Sequence, residues 1–301
     1  MKKKAFSLAE MLIVLCIVTV IMAATMPIIS KRAKMHAAAA SGSSSNTLAC
    51  TKTVTSPITN ATIGRGVIFY QIAGGGGGKS RYSGTGGGGG SSAILIDGVL
   101  QAYSAGGPGT VYYSNPNDAN GALSSGAIFL DPSLSSHTIS VYVGGGGGGA
   151  GMYENPTSGT SNTYGGRGGA GYCGGAEGAS GSNPPGNQIS TPTPGGGSTC
   201  DASLSLKGSA GNTSNGSSVN TLGGGGGGYG GRGGDSGYSY DYNGLLTIPA
   251  SNGLSAGSTS DDGKGGGTYT DPNHGYTLPA GGDGGYVTLY FMTNASSCPS
   301  W

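Results

Sequence analysis

Residues 1–40 contain no glycine and only one acid, Glu10. Residues 41–301 contain no cluster of basic charge. A nucleic-acid-binding face needs clustered lysine and arginine, so that function is excluded. No Cys-x-x-Cys pair occurs, and the histidines His36, His137 and His274 are scattered, which argues against a structural zinc site. No Ser/His/Asp, Cys/His or paired-acid arrangement can be argued from spacing. Neither catalysis nor a cofactor is expected. Charged residues make up 9% of the chain and aromatics 7%. All 67 glycines lie after residue 40, where they form about a quarter of the sequence. Each loses more backbone freedom on ordering than any other residue and brings no side chain to bury. A conventional hydrophobic core spread over all of residues 41–301 is therefore not expected.

The net charge of +1 hides two opposed halves. The first 40 residues carry Lys2, Lys3, Lys4, Lys31, Arg32 and Lys34 against Glu10, whereas the remainder is acidic. The cysteines divide likewise. Cys16 lies in an apolar run, and Cys50, Cys173, Cys200 and Cys298 form an even set suited to an oxidising compartment. Four cysteines allow three connectivities. Cys173–Cys200, closing a Gly/Ser/Pro-rich loop, with Cys50–Cys298, tying the ends of the body together, is the favoured pairing.

Met11–Ser30 is uncharged and would reach ~30 Å as a helix, enough to cross a bilayer. Lysines precede it and the larger part of the chain follows, so the amino end is expected in the cytoplasm and the body outside. Three readings compete: a cleaved secretory signal with a small-residue site at Met22-Ala23-Ala24, a plain signal anchor, and a prepilin leader. Only the third explains Glu10, a carboxylate at the front edge of the apolar run where burial is costly.

The stretch Lys4-Ala5-Phe6-Ser7-Leu8-Ala9-Glu10-Met11-Leu12-Ile13 resembles the cleavage and methylation motif of type IV pilins and type II secretion pseudopilins. The resemblance implies cleavage between Ala5 and Phe6 by a prepilin peptidase, followed by N-methylation of Phe6. Ala5 replaces the more usual glycine before the cut. Glu10 becomes the fifth mature residue, and buried in a filament its unpaired charge would cost several kcal/mol. The amino terminus of a neighbouring Phe6 is its natural partner and sets the register between subunits. Pro27 stands where many pilins carry a helix-loosening proline, and a kink or local melting is expected near Met26–Ile29.

Strand character appears at Val67–Ala73, at Ile94–Ile96 and Val99–Ala102 flanking the Asp97-Gly98 turn signal, at Ala127–Leu130, at Thr138–Val143 and at Tyr286–Met292. Between these lie glycine runs at 74–78, 86–90, 144–149, 165–175, 223–228 and 281–285. Glycine lets backbones approach with nothing between them, as at the axis of collagen. Packed three-residue-per-turn glycine helices, bonded sideways, would satisfy backbone groups that a loop leaves open. Flexible linker is the alternative. The sequence of Ile72–Gly78, Val141–Gly149 and Gly281–Tyr290 also resembles bacterial glycine-rich domains and some phage tail-fibre adhesins, which implies a rigid binding or spacer module.

Two tempting motifs fail on their own terms. Ala73–Ser80 (AGGGGGKS) fits a relaxed phosphate loop, but no helix follows to face the phosphates. Gly230–Tyr238 approaches a calcium nonapeptide, yet Gly237 stands where an apolar residue should pack and only one copy exists. Asp261, Asp262 and Asp283 read as solvated turn residues. Tyr112, Tyr113, Tyr238, Tyr240 and Tyr242 could form a contact surface, although covering glycine helices and sheet edges is the favoured role.

The expected fold class is a single N-terminal transmembrane α-helix plus a mainly-β glycine-rich domain, a β-sandwich or roll with packed polyglycine-type helices. The expected boundaries are a leader at 1–5, a transmembrane and assembly helix at 6–40, a linker at 41–47 and the body at 48–301. The expected function is a structural or adhesive subunit of a type IV pilus-like or type II secretion pseudopilus-like filament. The alternative is a membrane-anchored structural protein that never assembles. Expected partners are a prepilin peptidase, other pilin-like subunits, the inner membrane and a surface glycan or protein ligand, with no nucleic acid.

Overall fold

The computed structural model describes residues 48–80, 84–110, 116–155, 160–178, 181–183, 224–240, 246–248, 251, 266, 268–270, 275–292 and 299–301. The chain divides into two units, Met1–Asn46 and Thr47–Trp301, and the described residues all belong to the second.

The expected fold class is corrected here. The described residues are 42% strand and 1% helix. Their one helical element is the 3-10 turn Pro116–Ala119, and no helix among them is long and apolar enough to cross a membrane. The physical reason is visible in the pattern: the apolar stretches run for only five to seven positions and are bounded by glycine or turn residues on at least one side, so no described segment supplies the ~20 consecutive apolar residues a span requires. Met11–Ser30, the stretch assigned to the membrane helix, lies outside the described residues.

Two four-stranded antiparallel sheets face one another. The first contains β1 (Leu48–Val54), β3 (Val67–Ala73), β6 (Leu123–Phe129) and β15 (Tyr286–Met292), in the order β1-β15-β3-β6. The second contains β2 (Ile58–Ile63), β4 (Ser92–Ile96), β5 (Val99–Ser104) and β7 (His137–Tyr142), in the order β2-β7-β4-β5. Alternation sets the buried face. On β15, Val287, Leu289 and Phe291 point inward, and Ile68 and Ile72 do so on β3. They meet Ile94, Ile96, Ile139 and Val141 from the second sheet in one hydrophobic cluster. Trp301 packs against this cluster through Phe291, and the Lys52 ammonium donates to its carbonyl (3.1 Å). Burial of a branched or aromatic side chain of this kind contributes about 1.5–3 kcal/mol, so the core resides here.

Glycine segments leave and re-enter this sandwich at the strand ends. Residues 74–79, following β3, donate in rotation to three neighbours. Gly74 and Gly77 reach the carbonyls of Ala122 and Ala119, Gly75 and Gly78 those of Gly90 and Gly87, and Gly76 and Lys79 those of Asp283 and Ala280. Each partner returns every third residue, the period of an extended three-residue-per-turn helix. Residues 144–150 are enclosed on all sides. From Gly145 to Ala150, successive N–H groups donate to Ala170, Gly231, Gly76, Arg167, Gly234 and Lys79. From Gly144 to Gly149, successive carbonyls accept from Gly285, Gly90, Gly227, Gly282, Gly87 and Gly224. The backbone polar groups that folding must satisfy are thus paired with no sheet involved.

Only glycine fits this spacing. A Cβ on Gly146 would fall on the Gly282 carbonyl and within 2.8 Å of the Gly233 nitrogen. Serines stitch the seam between lattice and sandwich. The Ser92 hydroxyl donates to the Ala73 carbonyl (2.6 Å) and accepts from the Gly144 N–H (2.8 Å). Beyond the lattice lie the five-stranded sheet β10-β9-β8-β11-β12 and the pair β13-β14. These strands are β8 (Gly151–Asn155), β9 (Thr160–Tyr164), β10 (Gly181–Asn183), β11 (Tyr238–Tyr240), β12 (Leu246–Ile248), β13 (Thr268–Thr270) and β14 (Thr277–Pro279).

Candidate functional site

The processing and assembly residues Ala5, Phe6, Glu10 and Pro27 lie outside the described residues. Cys50, half-buried on β1, and Cys173, 2% exposed, are each disulfide-bonded. Cys200 and Cys298 lie outside the described residues, and so does the expected pairing. The backbone around Cys173 is held by Ser91, whose hydroxyl accepts the Cys173 N–H (2.6 Å) and whose own N–H donates to the Cys173 carbonyl (2.9 Å).

The phosphate-loop likeness of residues 73–80 has a direct structural answer. A phosphate cradle needs free backbone N–H groups converging on one point. Here the N–H groups from Gly74 to Lys79 all donate to carbonyls of neighbouring segments, 2.7–3.3 Å away. They point in rotation to different sides of the segment, so they converge nowhere.

The calcium-like stretch at 230–238 carries its own cation. The Arg232 guanidinium donates to Asp235 Oδ1 (2.6 Å) and lies 3.4 Å from Asp283 Oδ1. Asp235 Oδ1 also accepts the Gly281 N–H (3.2 Å). Asp283, read from the sequence as a solvated turn residue, is instead half-buried against Arg232, and its carbonyl accepts the Gly76 N–H. The trio ties segment 231–235 to segment 281–283. Among the described residues no group of His, Cys, Asp and Glu is arranged to hold a metal ion.

A second ionic cluster sits at the end of the sandwich away from the lattice. Asp97 and Gly98 form the β4–β5 turn, both with positive φ (50° and 74°), the left-handed region that this dipeptide tolerates. The Asp97 carboxylate accepts from the Thr138 N–H (2.8 Å) and lies 2.6 Å from His137 Nδ1. His137 Nε2 lies 3.1 Å from the Asp131 carbonyl. Both partners are acceptors only, so the ring satisfies them together only by carrying two N–H groups, as imidazolium. The ring is 4% exposed. Burial by itself opposes the charge, but the hydrogen bonds to Asp97 and Asp131 outweigh it and hold the pKa above the ordinary histidine value. Asp97 is held below the ordinary carboxylate range, first by the Thr138 N–H and then by His137. Asp131 is lowered by the hydroxyl and N–H of Ser133. This clasp joins two turns, and its geometry is structural.

Several of the described tyrosines pack on one another. Tyr142 packs on Tyr172 (5.6 Å) and Tyr229 (6.0 Å), and Tyr229 is fully buried beside the turn at Gly230. Tyr238 stacks on Tyr276 (5.4 Å). Tyr112, Tyr113 and Tyr242 lie outside the described residues. Neither the clasp nor the Arg232 trio was legible in sequence, because each joins residues 40 or more positions apart.

No protein-family model matches the chain, and no curated protein or solved structure matches it.

Proposed function

We propose that the protein is a structural subunit of a type IV pilus-like or type II secretion pseudopilus-like filament, displaying a rigid glycine-rich β body outside the cytoplasm. The observation that carries this reading is the ordered amino-terminal pattern: Lys2–Lys4, the Ala5-Phe6 junction, Glu10, then the uncharged Met11–Ser30. In this role a prepilin peptidase cuts before Phe6, the apolar segment holds the chain at the inner membrane until assembly, and Glu10 pairs with the amino terminus of a neighbouring copy. The body's architecture supports a displayed module. A disulfide-bonded sandwich continuous with a hydrogen-bonded lattice resists deformation and presents the strands β8–β14 at the far end.

The test is the processed amino terminus. Mass spectrometry of the purified protein should show a chain beginning at N-methylated Phe6. A start after Ala24, or an intact Met1, overturns the reading. Glu10→Val should leave membrane insertion intact and reduce incorporation into filaments, measured as protein recovered in the sheared surface fraction.

A further inference from the structure

Residues 299–301 return to the sandwich at its edge. Pro299 is buried, and the Trp301 ring packs edge-on against Phe291 (6.3 Å), an inward residue of β15. On β1, Cys50, Lys52 and Val54 alternate on the inward face, and register sets Cys50 beside Phe291 and Lys52 beside Leu289. Cys50, Phe291 and Trp301 therefore meet at one corner of the core, where the Lys52 ammonium holds the Trp301 carbonyl (3.1 Å). β1 stands at the edge of its sheet, laddered to β15, so this strap is its second hold. The strap has a defect. The Trp301 indole N–H is buried and, among the described residues, meets no acceptor, a penalty that water would relieve. Non-covalent fit alone leaves the ring poised to leave.

We infer that a disulfide from Cys50 to Cys298 latches this strap, and that reducing it releases Trp301 while the rest of the body stays folded. Cys50 is disulfide-bonded. Cys298, outside the described residues, lies three positions before Trp301, so its Cα stands within ~11 Å of a residue already seated beside Cys50. No other cysteine is tied to Trp301 by so short a chain. The latch is also the more accessible of the two described bonds. Exchange needs a thiolate to reach a sulfur, and Cys50 is half-buried on an edge strand, whereas Cys173 is 2% exposed and braced by Ser91. A dithiol attacks, passes through a mixed disulfide and closes to its own cyclic disulfide. It gives up two electrons and two protons, and Cys50 and Cys298 become thiols. Trp301 then exchanges an unpaired N–H for one bonded to water, and β1 keeps its ladder to β15 alone.

Trp301 is the one tryptophan of the chain, so the latch contains its own fluorophore. The experiment uses the full chain, purified without reductant, with dithiothreitol as the dithiol. Peptide mapping of the unreduced protein should recover Cys50 joined to Cys298. Titration with dithiothreitol should shift the Trp301 emission to the red and raise its quenching by acrylamide severalfold, while the body keeps its resistance to protease. The double variant Cys50→Ser with Cys298→Ser should show the red emission before any reductant is added. Lys52→Gln, which leaves the disulfide in place, should keep the blue emission until it is reduced. If the double variant fails to fold, the map and the titration of the parent decide. Cys50 mapped to another cysteine, an emission unmoved once Cys50 is fully reduced, or protease resistance lost together with the emission change each overturns the inference.

Discussion

His137 holds two turns together through a charge it can lose. Below its unfolded pKa of about 6.5 the ring is protonated in both states, and the full contribution of the clasp is present. As pH rises through the raised folded-state value, the ring surrenders one N–H and one of its two bonds, to Asp97 or to Asp131. Asp97 has the opposite sense: its contribution is present above about pH 4 and lost as pH falls through its lowered value. The clasp is therefore strongest in the mildly acidic window between those limits. Losing one net hydrogen bond costs ~1 kcal/mol. For a unit of this size that is ~2–4 °C of melting temperature on going from pH 6 to pH 9. His137→Asn should remove that slope and lower the melting temperature at pH 6, which a pH series of thermal melts would show. The turn itself was readable, because Asp-Gly demands positive φ at both positions. The histidine was not: nothing local marks a partner that lies across the sheet.

Among the elements, the strands rich in β-branched and aromatic residues stand where the sequence places them. Val67–Ala73 and Tyr286–Met292 have the expected limits. The strands that escaped notice, such as Leu48–Val54 (LACTKTV) and Thr160–Tyr164 (TSNTY), lack a sustained run of β-branched and aromatic residues, and they are held by pairing with neighbouring strands rather than by their own pattern. Glycine runs have no side-chain pattern at all, so which run neighbours which is settled only by the strands that deliver them. Their packing makes a sharp prediction. Gly146→Val drives a branched side chain into the Gly282 carbonyl and the Gly233 backbone, and neither can retreat without straining the bonds from the Gly282 N–H to the Gly147 carbonyl and from the Gly233 N–H to the Gly282 carbonyl. The expected loss is several kcal/mol, from overpacking and orphaned hydrogen bonds together. Thr62→Val, on an exposed strand position, should change stability by less than about 0.5 kcal/mol. Denaturant melts of the two variants beside the parent decide it. Equal midpoints for Gly146→Val and the parent would mean that segment 144–150 is not packed.

For the molecule as a whole, cohesion comes from two sources of different chemistry. The sandwich holds by burying Ile, Val, Leu and Phe, whereas the lattice holds by peptide–peptide hydrogen bonds, with almost no apolar side chain inside it. Composition announced this imbalance, since so many glycines leave little to bury, but it could not say that order would survive without burial. The corrected fold class follows from the same division, because a mainly-β unit with extended glycine segments has no place for a long apolar helix among its described residues. The consequence is thermal. Unfolding apolar surface raises heat capacity, while exposing peptide groups lowers it. Melting the Thr47–Trp301 unit uncovers an unusual share of peptide, so calorimetry should find a heat-capacity increment per residue well below the ~12–15 cal/mol/K of ordinary domains. An increment at or above that range would show that the lattice contributes nothing distinct. With a small increment the free-energy curve flattens, and a body held together by backbone keeps its stability in the cold, where burial of oil-like side chains weakens.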